Sequence, residues 1–346
     1  MSGAARSPYR GLERWAFWRS VAARGEGPAQ DLYRPRFGIT HKTAIVTAGS
    51  CFAQHIGEAL TRARCRLIDT EAMPEMVPDA VARGFGYRQY SARYGNIYTP
   101  RQLRQLLAEI DGDHRPADAV WEKNGRFYDA LRPAVEPEGL DSAELVAEHR
   151  RLHLARAQAA FAQAELFILT LGLTEAWMHL GSGTVYPTAP GTIAGSYDQE
   201  KVSFHNFSFA EILEDLRAIR ARLHAYKPET RMLLTVSPVA LTATASGAHV
   251  EVATAYSKAV LRAAAGQMVS ECADVDYFPS YEIVTSRAAK GRHLTDDLRD
   301  VEPEGVAEVM QIFLTAHGLD TGTPASPEPP TVDPVCEDIL LEAFAE

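Results

Sequence analysis

Four short apolar runs constrain the fold of this chain most strongly. They are TAIVTA (43–48), ELFILTL (165–171), RMLLTVS (231–237) and VDYF (275–278). None alternates apolar and polar residues, and each is followed by residues typical of turns. This pattern is typical of strands that are buried on both faces of a parallel sheet.

The segments between these runs carry helical spacing. FAQHIGEALTRA (52–63) places its apolar residues on one face. In TPRQLRQLLAEI, Thr99 is the expected N-cap and Pro100 the first helical residue. Further helices are predicted over 142–164, 208–226, 250–271 and 304–317, and 66–95 and 112–141 are predicted to be insertions or covering loops. Alternating strands and helices predict an α/β fold with a doubly wound parallel sheet.

The two ends differ in composition from the rest of the chain. Residues 1–34 are rich in arginine and aromatic residues and predict an arm laid over the domain, with a partner-binding segment as the alternative. Residues 35–319 form the predicted domain. Residues 320–346 predict a Pro-rich acidic tail with a short terminal helix.

Charge and composition exclude several classes of function. The net charge of −10 disfavours binding to nucleic acid or to anionic membranes. No apolar run is long enough to span a membrane, and the N-terminus lacks the apolar stretch of a secretory signal. The four cysteines have no metal-type spacing, and no Gly-rich phosphate loop is present. We therefore expect a soluble, cytoplasmic protein with reduced thiols, without a metal and without a bound cofactor.

The residues that follow the four runs are the candidates for a site. Gly49-Ser50-Cys51, GLTEAW (172–177), SPVALTATASGAHV (237–250) and PSYE (279–282) come directly after the strands. Ligands of open α/β sheets bind at the carboxyl ends of the strands. If the strands are parallel and adjacent, we expect all four stretches to meet at one edge.

Gly49-Ser50-Cys51 combines a permissive glycine with two nucleophile types at a predicted strand-to-helix turn. A thiol at a helix N-terminus ionises more readily, and the N–H groups there can bind an oxyanion. This predicts a reactive elbow. The alternative is a turn in which Ser50 caps the helix and Cys51 packs as a small apolar residue.

Several strings resemble the GSCFA-domain family. They are GSCFA (49–53), YGNIYTPRQL (94–103), TLGLTEAW (170–177), YPTAPGT (186–192), TVSPVALTAT (235–244), HVEVATAYSK (249–258) and YFPSYEI (277–283). The resemblance covers about residues 35–315. The family is similar in plan to the SGNH (GDSL) hydrolases, which implies a flavodoxin-like sheet and O-acyl ester hydrolysis or acyl transfer.

The hydrolase motifs are transferred position by position. Gly-Asp-Ser falls on Gly49-Ser50-Cys51, so the resemblance implies Cys51 as nucleophile with Ser50 in a supporting role. Gly95 and Asn96 fall on the second block, with Asn96 as a possible oxyanion donor. The Gly-x-Asn-Asp block falls on Gly172 to Glu175, where Thr174 replaces the asparagine and can still donate a hydrogen bond. The resemblance thus implies oxyanion binding by the N–H of Cys51 with Gly95, Asn96 and Thr174. The wider set of implied oxyanion and substrate-binding residues also includes Gly49, Gly172 and Glu175.

The last motif, Asp-x-x-His, departs from the pattern. It falls on Asp297 to Asp300, which implies Asp297 as the acid that orients the base, but the histidine that would serve as base is absent. His249, in a loop inside a family-like stretch, is the first substitute that we consider. The alternatives are His293, His55 or His205, or no histidine base at all.

Two functions are compatible with these residues. The first is an acyl-ester hydrolase or acyltransferase that acts on a small-molecule or glycan-like hydroxylated substrate, with an acyl thioester as a possible donor. The second is a non-catalytic binding module that has lost the histidine.

Lys258 could bind a phosphate or carboxylate, although an exposed helix lysine is its more ordinary interpretation. The sequence predicts no oligomeric state.

Overall fold

The computed structural model describes residues 7–24, 30–319 and 337–344. Its strands are β1 (Ile45–Gly49), β2 (Val120–Lys123), β3 (Arg126–Asp129), β4 (Leu166–Leu171), β5 (Glu175–His179), β6 (Val185–Tyr186), β7 (Val202–Asn206), β8 (Arg231–Val236) and β9 (Val275–Phe278). Its α-helices are α1 (Arg19–Arg24), α2 (Phe52–Arg62), α3 (Asp79–Gly84), α4 (Pro100–Ile110), α5 (Ala143–Gln163), α6 (Phe209–Tyr226), α7 (Val250–Glu271), α8 (Ser280–Val284) and α9 (Pro303–Ala316).

A parallel sheet of four strands forms the centre of the fold, in the order β1-β4-β8-β9. The four apolar runs are these strands, as predicted. Leu67 adds a single parallel bridge to Ile45 on the outer side of β1. With that bridge counted as a reduced second strand, the order is 2-1-3-4-5, which is the flavodoxin-like arrangement.

Both faces of the sheet are covered, because neighbouring residues of each strand point to opposite sides. Val46, Phe167 and Leu234 pack in one buried cluster with residues of α4, α5, α6 and α7. Ile45 and Leu233 pack in a second cluster with α2, α8 and α9. The predicted doubly wound α/β class is confirmed.

The long helices also agree with the sequence patterns. At the start of α4, the Thr99 side chain accepts from the backbone N–H of Gln102, whose side chain accepts from the N–H of Thr99. Pro100 follows as the first helical residue, as expected. Helices α5, α6, α7 and α9 begin and end within one residue of the predicted ranges.

Regions between the core elements contain more structure than the sequence predicted. Strands β2 and β3 form an antiparallel hairpin between α4 and α5, where covering loops were expected. Strands β6-β5-β7 form a separate antiparallel sheet of three strands. Only residues 172–174 separate β5 from β4, so this sheet stands next to the carboxyl edge of the central sheet.

The segment before β1 packs closely on the domain. The Tyr33 hydroxyl donates to Asp276 Oδ2 at 3.2 Å. Arg36 donates to the carbonyl groups of Val269, Cys272 and Val275 at 2.7 to 3.0 Å. Tyr33 is therefore part of the core, and the proposed domain boundary at residue 35 stays a prediction.

At the other end, the predicted tail 320–335 lies outside the described residues. A 3₁₀ helix is found at Glu337–Phe344, inside the segment for which a short terminal helix was expected. Among the described helices, none has the length and apolar character needed to cross a membrane.

Gly49 closes β1 in a conformation that only glycine adopts easily. Its φ is +143°, and a Cβ atom there would lie 2.4 Å from the Thr170 carbonyl oxygen. The backbones of β1 and β4 thus approach each other without space for a side chain. Gly57, inside α2, is the opposite case, since a Cβ there would meet nothing closer than 3.8 Å.

We expect Gly49→Ala to lower the free energy of unfolding by at least about 3 kcal/mol, because it adds both backbone strain and a clash. The matched Gly57→Ala should leave stability unchanged or raise it by up to about 1 kcal/mol, as alanine favours a helix. Urea unfolding of both variants tests this. Equal stability of the two variants would contradict the close approach of β1 and β4.

Candidate functional site

The turn after β1 is held by backbone hydrogen bonds. The Ser50 N–H donates to the Thr170 carbonyl at 3.2 Å, and the Ser50 carbonyl accepts from Ala53 at 2.8 Å. Cys51 has helical backbone angles and begins α2 without a side-chain cap. Both side chains are nearly buried, with Ser50 3% and Cys51 6% exposed.

The Ser50 side chain does not cap α2, so this part of the alternative interpretation as a simple turn is wrong. Its hydroxyl is buried and has no hydrogen-bond partner among the described residues. Gly172 faces it closely, since a Cβ atom on Gly172 would lie 3.0 Å from Ser50 Cβ. The hydroxyl thus lies between the ends of β1 and β4.

A small cavity contains the Ser50-Cys51 turn. Its walls come from the ends of three central strands and from three further residues. They are Ser50 and Cys51 after β1, Gly172 and Leu173 after β4, Ser237, Val239, Ala240 and Leu241 after β8, and Tyr98, Lys258 and Arg299. The predicted convergence of strand ends is confirmed for these three strands.

The stretch after β9 does not line this cavity but supports it. The Ser280 hydroxyl donates to the Val236 carbonyl at 2.8 Å and lies 2.6 Å from the Thr235 hydroxyl. Glu282 binds Arg262 and Tyr277 instead of facing the cavity.

Lys258 is the cavity residue whose burial the sequence pattern did not indicate. It is only 2% exposed, and its Nζ donates to the Gly172 carbonyl at 2.7 Å. The interpretation as an exposed helix lysine is wrong, because this face of α7 packs against the sheet. A buried ammonium group therefore shares the cavity with the Cys51 thiol.

Arg299 brings a second cation to the cavity. Its Nη1 donates to Asp300 Oδ1 at 2.8 Å, and its carbonyl accepts from Ala240 at 3.5 Å. Asp297 shapes this loop by accepting from the N–H groups of Arg299 at 2.8 Å and Asp300 at 3.1 Å. Hydrogen bonds, first that from the Thr295 hydroxyl, lower the pKa of Asp297. Asp297 thus orders the loop and has no contact with a histidine base.

Asn96 and Gly95 lie behind the turn. The Tyr90 hydroxyl is 2.5 Å from Asn96 Oδ1 and 3.1 Å from the Ser50 carbonyl oxygen. Asn96 Nδ2 donates to the Tyr98 hydroxyl at 3.3 Å. Gly95 has a φ of +68° and faces Arg132. Neither residue lines the cavity, so their predicted oxyanion contact has no support in this geometry.

Thr174 also lies outside the cavity wall. Its hydroxyl donates to Asn206 Oδ1 at 2.7 Å, and its N–H donates to Ser257 Oγ at 2.8 Å. The hydroxyl and the N–H of Thr174 thus connect the residue before β5 to β7 and to α7. The predicted role of Thr174 in oxyanion binding stays unsupported for that reason.

His249 lies at the N-cap of α7. Its Nδ1 accepts from the Glu251 N–H at 3.3 Å, and its side chain is 69% exposed. It is not among the residues that line the Cys51 cavity. A general base must come within hydrogen-bond reach of its proton, so the geometry gives the predicted His249 base no support.

The other candidate histidines are engaged elsewhere. His293 is buried with its Nε2 3.1 Å from Glu308, and His205 lies 2.8 Å from Glu211. Burial, followed by the charges of Arg83 and Arg62, lowers the pKa of His55 to about 4. Among the described residues that line the Cys51 cavity, there is no histidine and no carboxylate.

Glu175 lines a larger neighbouring cavity of about 190 Å³. Its Oε1 accepts from the Thr244 hydroxyl at 2.7 Å, and burial raises its pKa. Leu173 and Leu241 line both cavities, so the two are adjacent.

The part of the chain that the structure describes contains neither a metal-ligand cluster nor a disulfide. No three His, Cys, Asp or Glu side chains cluster there as metal ligands would. Cys51, Cys65 and Cys272 form no disulfide, and burial raises the pKa of Cys65.

The family model of the GSCFA family matches residues 44–313, which include the turn, the cavity and both cations. The chain belongs to the GSCFA family. No curated protein matches it.

A comparison of solved structures aligns this GSCFA protein with a putative GDSL-like lipase from Parabacteroides merdae ATCC 43184. The identity is 13%, the TM-score is 0.37, and 83% of this chain and 100% of that one are covered. A likeness of that size carries no weight for the function of this chain.

We expect Lys258→Met to slow alkylation of Cys51 by iodoacetamide at neutral pH by about tenfold, because a nearby cation in a poorly solvated cavity favours the thiolate. The exposed Lys201 supplies the control, Lys201→Met, which should not change the rate. Peptide mass spectrometry follows Cys51 separately from Cys65 and Cys272. An unchanged Cys51 rate in a folded Lys258→Met protein would show that Lys258 has no influence on the thiol.

Proposed function

We propose that this protein is an acyl-transfer enzyme, an ester hydrolase or an acyltransferase, with Cys51 as its nucleophile and a hydroxylated, glycan-like substrate. The observation that carries the proposal is the location of Cys51. It begins an 11-residue helix at the junction of three strand ends and shares a cavity with Lys258 and Arg299.

In the proposed reaction, the Cys51 thiolate attacks the carbonyl carbon of an ester or thioester. The C–O or C–S bond to the leaving group breaks, and the leaving alkoxide or thiolate takes a proton from water or from the Lys258 ammonium group. The acyl group is then held on Sγ. Water or an acceptor hydroxyl then attacks the carbonyl carbon of this thioester and gives its proton to the neutral Lys258 amine or to the hydroxide left by the first step. The C–S bond to Sγ breaks and the Cys51 thiolate is released.

The negative charge that develops on the carbonyl oxygen needs donors. The first N–H groups of an α-helix have no intrahelical partners, and the helix dipole favours an anion there. The start of α2 therefore supplies donors, and Lys258 and Arg299 add positive charge. We assign oxyanion binding to these groups rather than to Gly95, Asn96 or Thr174.

A thiol nucleophile reduces the need for a general base. An alcohol must lose its proton during attack, whereas a thiolate is already ionised. The cations beside Cys51 support this route without a histidine. A role for His249 as the base would require its loop to move toward Cys51.

A second function is favoured by one specific observation. Among the described residues, those that line the Cys51 cavity include Lys258 and Arg299 and neither a histidine nor a carboxylate. The same site could bind a carboxylate- or phosphate-bearing ligand without turning it over. A binding module of this kind is the alternative that a turnover experiment must separate from the enzyme.

The expected cytoplasmic setting bears on the choice between hydrolysis and transfer. Activated thioesters are the acyl donors that a thiol nucleophile could use there, which would favour transfer to a hydroxyl. A thioester donor and a hydroxylated acceptor are therefore the first substrates to test.

We expect Cys51→Ala to abolish turnover of p-nitrophenyl acetate and of acetyl thioesters, because no acyl-enzyme can form. Cys51→Ser should keep at most about 1% of the activity, since an alcohol here lacks a base. Ser50→Ala should lose less activity than Cys51→Ala, because its hydroxyl only supports the bound group. Release of p-nitrophenol or thiol gives the rates, and thermal melting confirms that the variants fold.

His249→Ala is the matched test of the base and should keep wild-type turnover. If Ser50→Ala is inactive and Cys51→Ala active, Ser50 is the nucleophile. If wild type turns over no acyl substrate, the binding-module alternative replaces the enzyme.

A further inference from the structure

The cavity next to Cys51 is lined by loops and by β5 and β7 of the antiparallel sheet that the sequence did not predict. Glu175 and Trp177 lie two residues apart on β5, so both side chains point to the same face. Phe204 of β7 pairs directly with Trp177. The loop after β8 forms the opposite wall through Thr242 to Ala245, and Leu341 of the C-terminal 3₁₀ helix contributes to the lining.

Aromatic rings give this cavity a firm apolar surface. The Trp177 and Phe204 rings meet edge to face with centroids 6.0 Å apart, and Tyr197 contacts Trp177 in the same way at 5.3 Å. Such contacts fix the orientation of the rings. A ligand in the cavity therefore meets a rigid aromatic wall.

Polar groups in the same cavity indicate what kind of ligand it takes. The Glu175 carboxylate is held by the Thr244 hydroxyl, and the Thr242 hydroxyl is buried without a hydrogen-bond partner among the described residues. An alkyl chain would leave the Thr242 hydroxyl without a partner and would cover the Glu175 carboxylate with apolar groups, which disfavours binding. A ring that carries hydroxyl groups offers donors and acceptors to both and presents C–H groups to the aromatic wall.

We propose that this cavity binds one sugar ring of the substrate, with Glu175 and Thr242 bonding to ring hydroxyls and Trp177 contacting the apolar face of the ring. The volume of about 190 Å³ is somewhat larger than the roughly 150 Å³ of an apolar cavity that binds benzene, so a single six-membered ring fits. The inference deepens the proposed function, because the shared Leu173 and Leu241 place the ring next to Cys51.

The test measures binding and does not need turnover. Methyl glycosides of glucose, galactose and N-acetylglucosamine are titrated into the full-length protein by calorimetry, with hexanoate and hexan-1-ol as apolar probes. We expect at least one glycoside to bind, and Glu175→Gln to weaken it about tenfold, because hydrogen bonds to a charged acceptor are the stronger ones. Trp177→Ala should weaken it by about fivefold or more.

Exposed residues supply matched controls. Glu200→Gln and Trp18→Ala remove the same side-chain types at exposed positions that do not line the cavity and should leave the affinity unchanged. If Trp177→Ala does not fold, the affinity of Glu175→Gln alone tests the sugar site. This variant should fold, because the glutamine carbonyl oxygen can still accept the hydrogen bond from Thr244.

The outcomes separate this inference from the proposed function. Failure of all three glycosides to bind, or binding that ignores Glu175→Gln, overturns the sugar site. Binding of hexanoate or hexan-1-ol instead assigns the cavity to an acyl chain. Neither result contradicts the proposal that Cys51 turns over acyl substrates. Glycoside binding without any acyl turnover would support the sugar site and contradict the proposed enzyme activity.

Discussion

The close approach of β1 and β4 at their carboxyl ends is the constraint on which the site depends. Gly49 leaves no space for a side chain beside Thr170, and Gly172 packs directly against Ser50. The chain runs outward from β1 to Leu67 and returns to β4 on its other side, so the two strands flank the topological switch point. Ligands of such sheets bind at this point. The glycines therefore determine that Ser50 and Cys51 open into a cavity.

The central sheet and its long helices could be predicted because their environment is reflected in the sequence. A strand covered on both faces must be apolar at every position, and Thr99-Pro100 marks a helix start by local chemistry. The β5–β7 sheet could not be found this way. Glu175 and Trp177 lie in a stretch that also carries the turn after β4, and its antiparallel partner, Val202–Asn206, begins more than twenty residues later. Pairing over such a separation leaves little trace in local patterns.

The candidate site could be predicted only in part. Cys51 and Gly172 could be placed together because strand ends of a parallel sheet must converge. Lys258 could not be placed beside them from the sequence. Apolar and small residues occur around much of the circumference of α7, so the sequence does not show which face of the helix is buried. His249 looked suitable because it lies in a loop after β8, but loop residues carry no positional signal, and it caps α7 in solvent.

The charges around Cys51 and the identity of the nucleophile form one consistent arrangement. A serine in this turn would need a base to remove its proton, and no histidine or carboxylate is found among the described residues that line the cavity. A cysteine needs only stabilisation of its anion, which the start of α2, Lys258 and Arg299 can provide. Those same cations would hinder a histidine base by disfavouring its protonated form during catalysis. The absence of the histidine from the Asp-x-x-His position is therefore compatible with chemistry at Cys51, provided that the positive charges beside it remain.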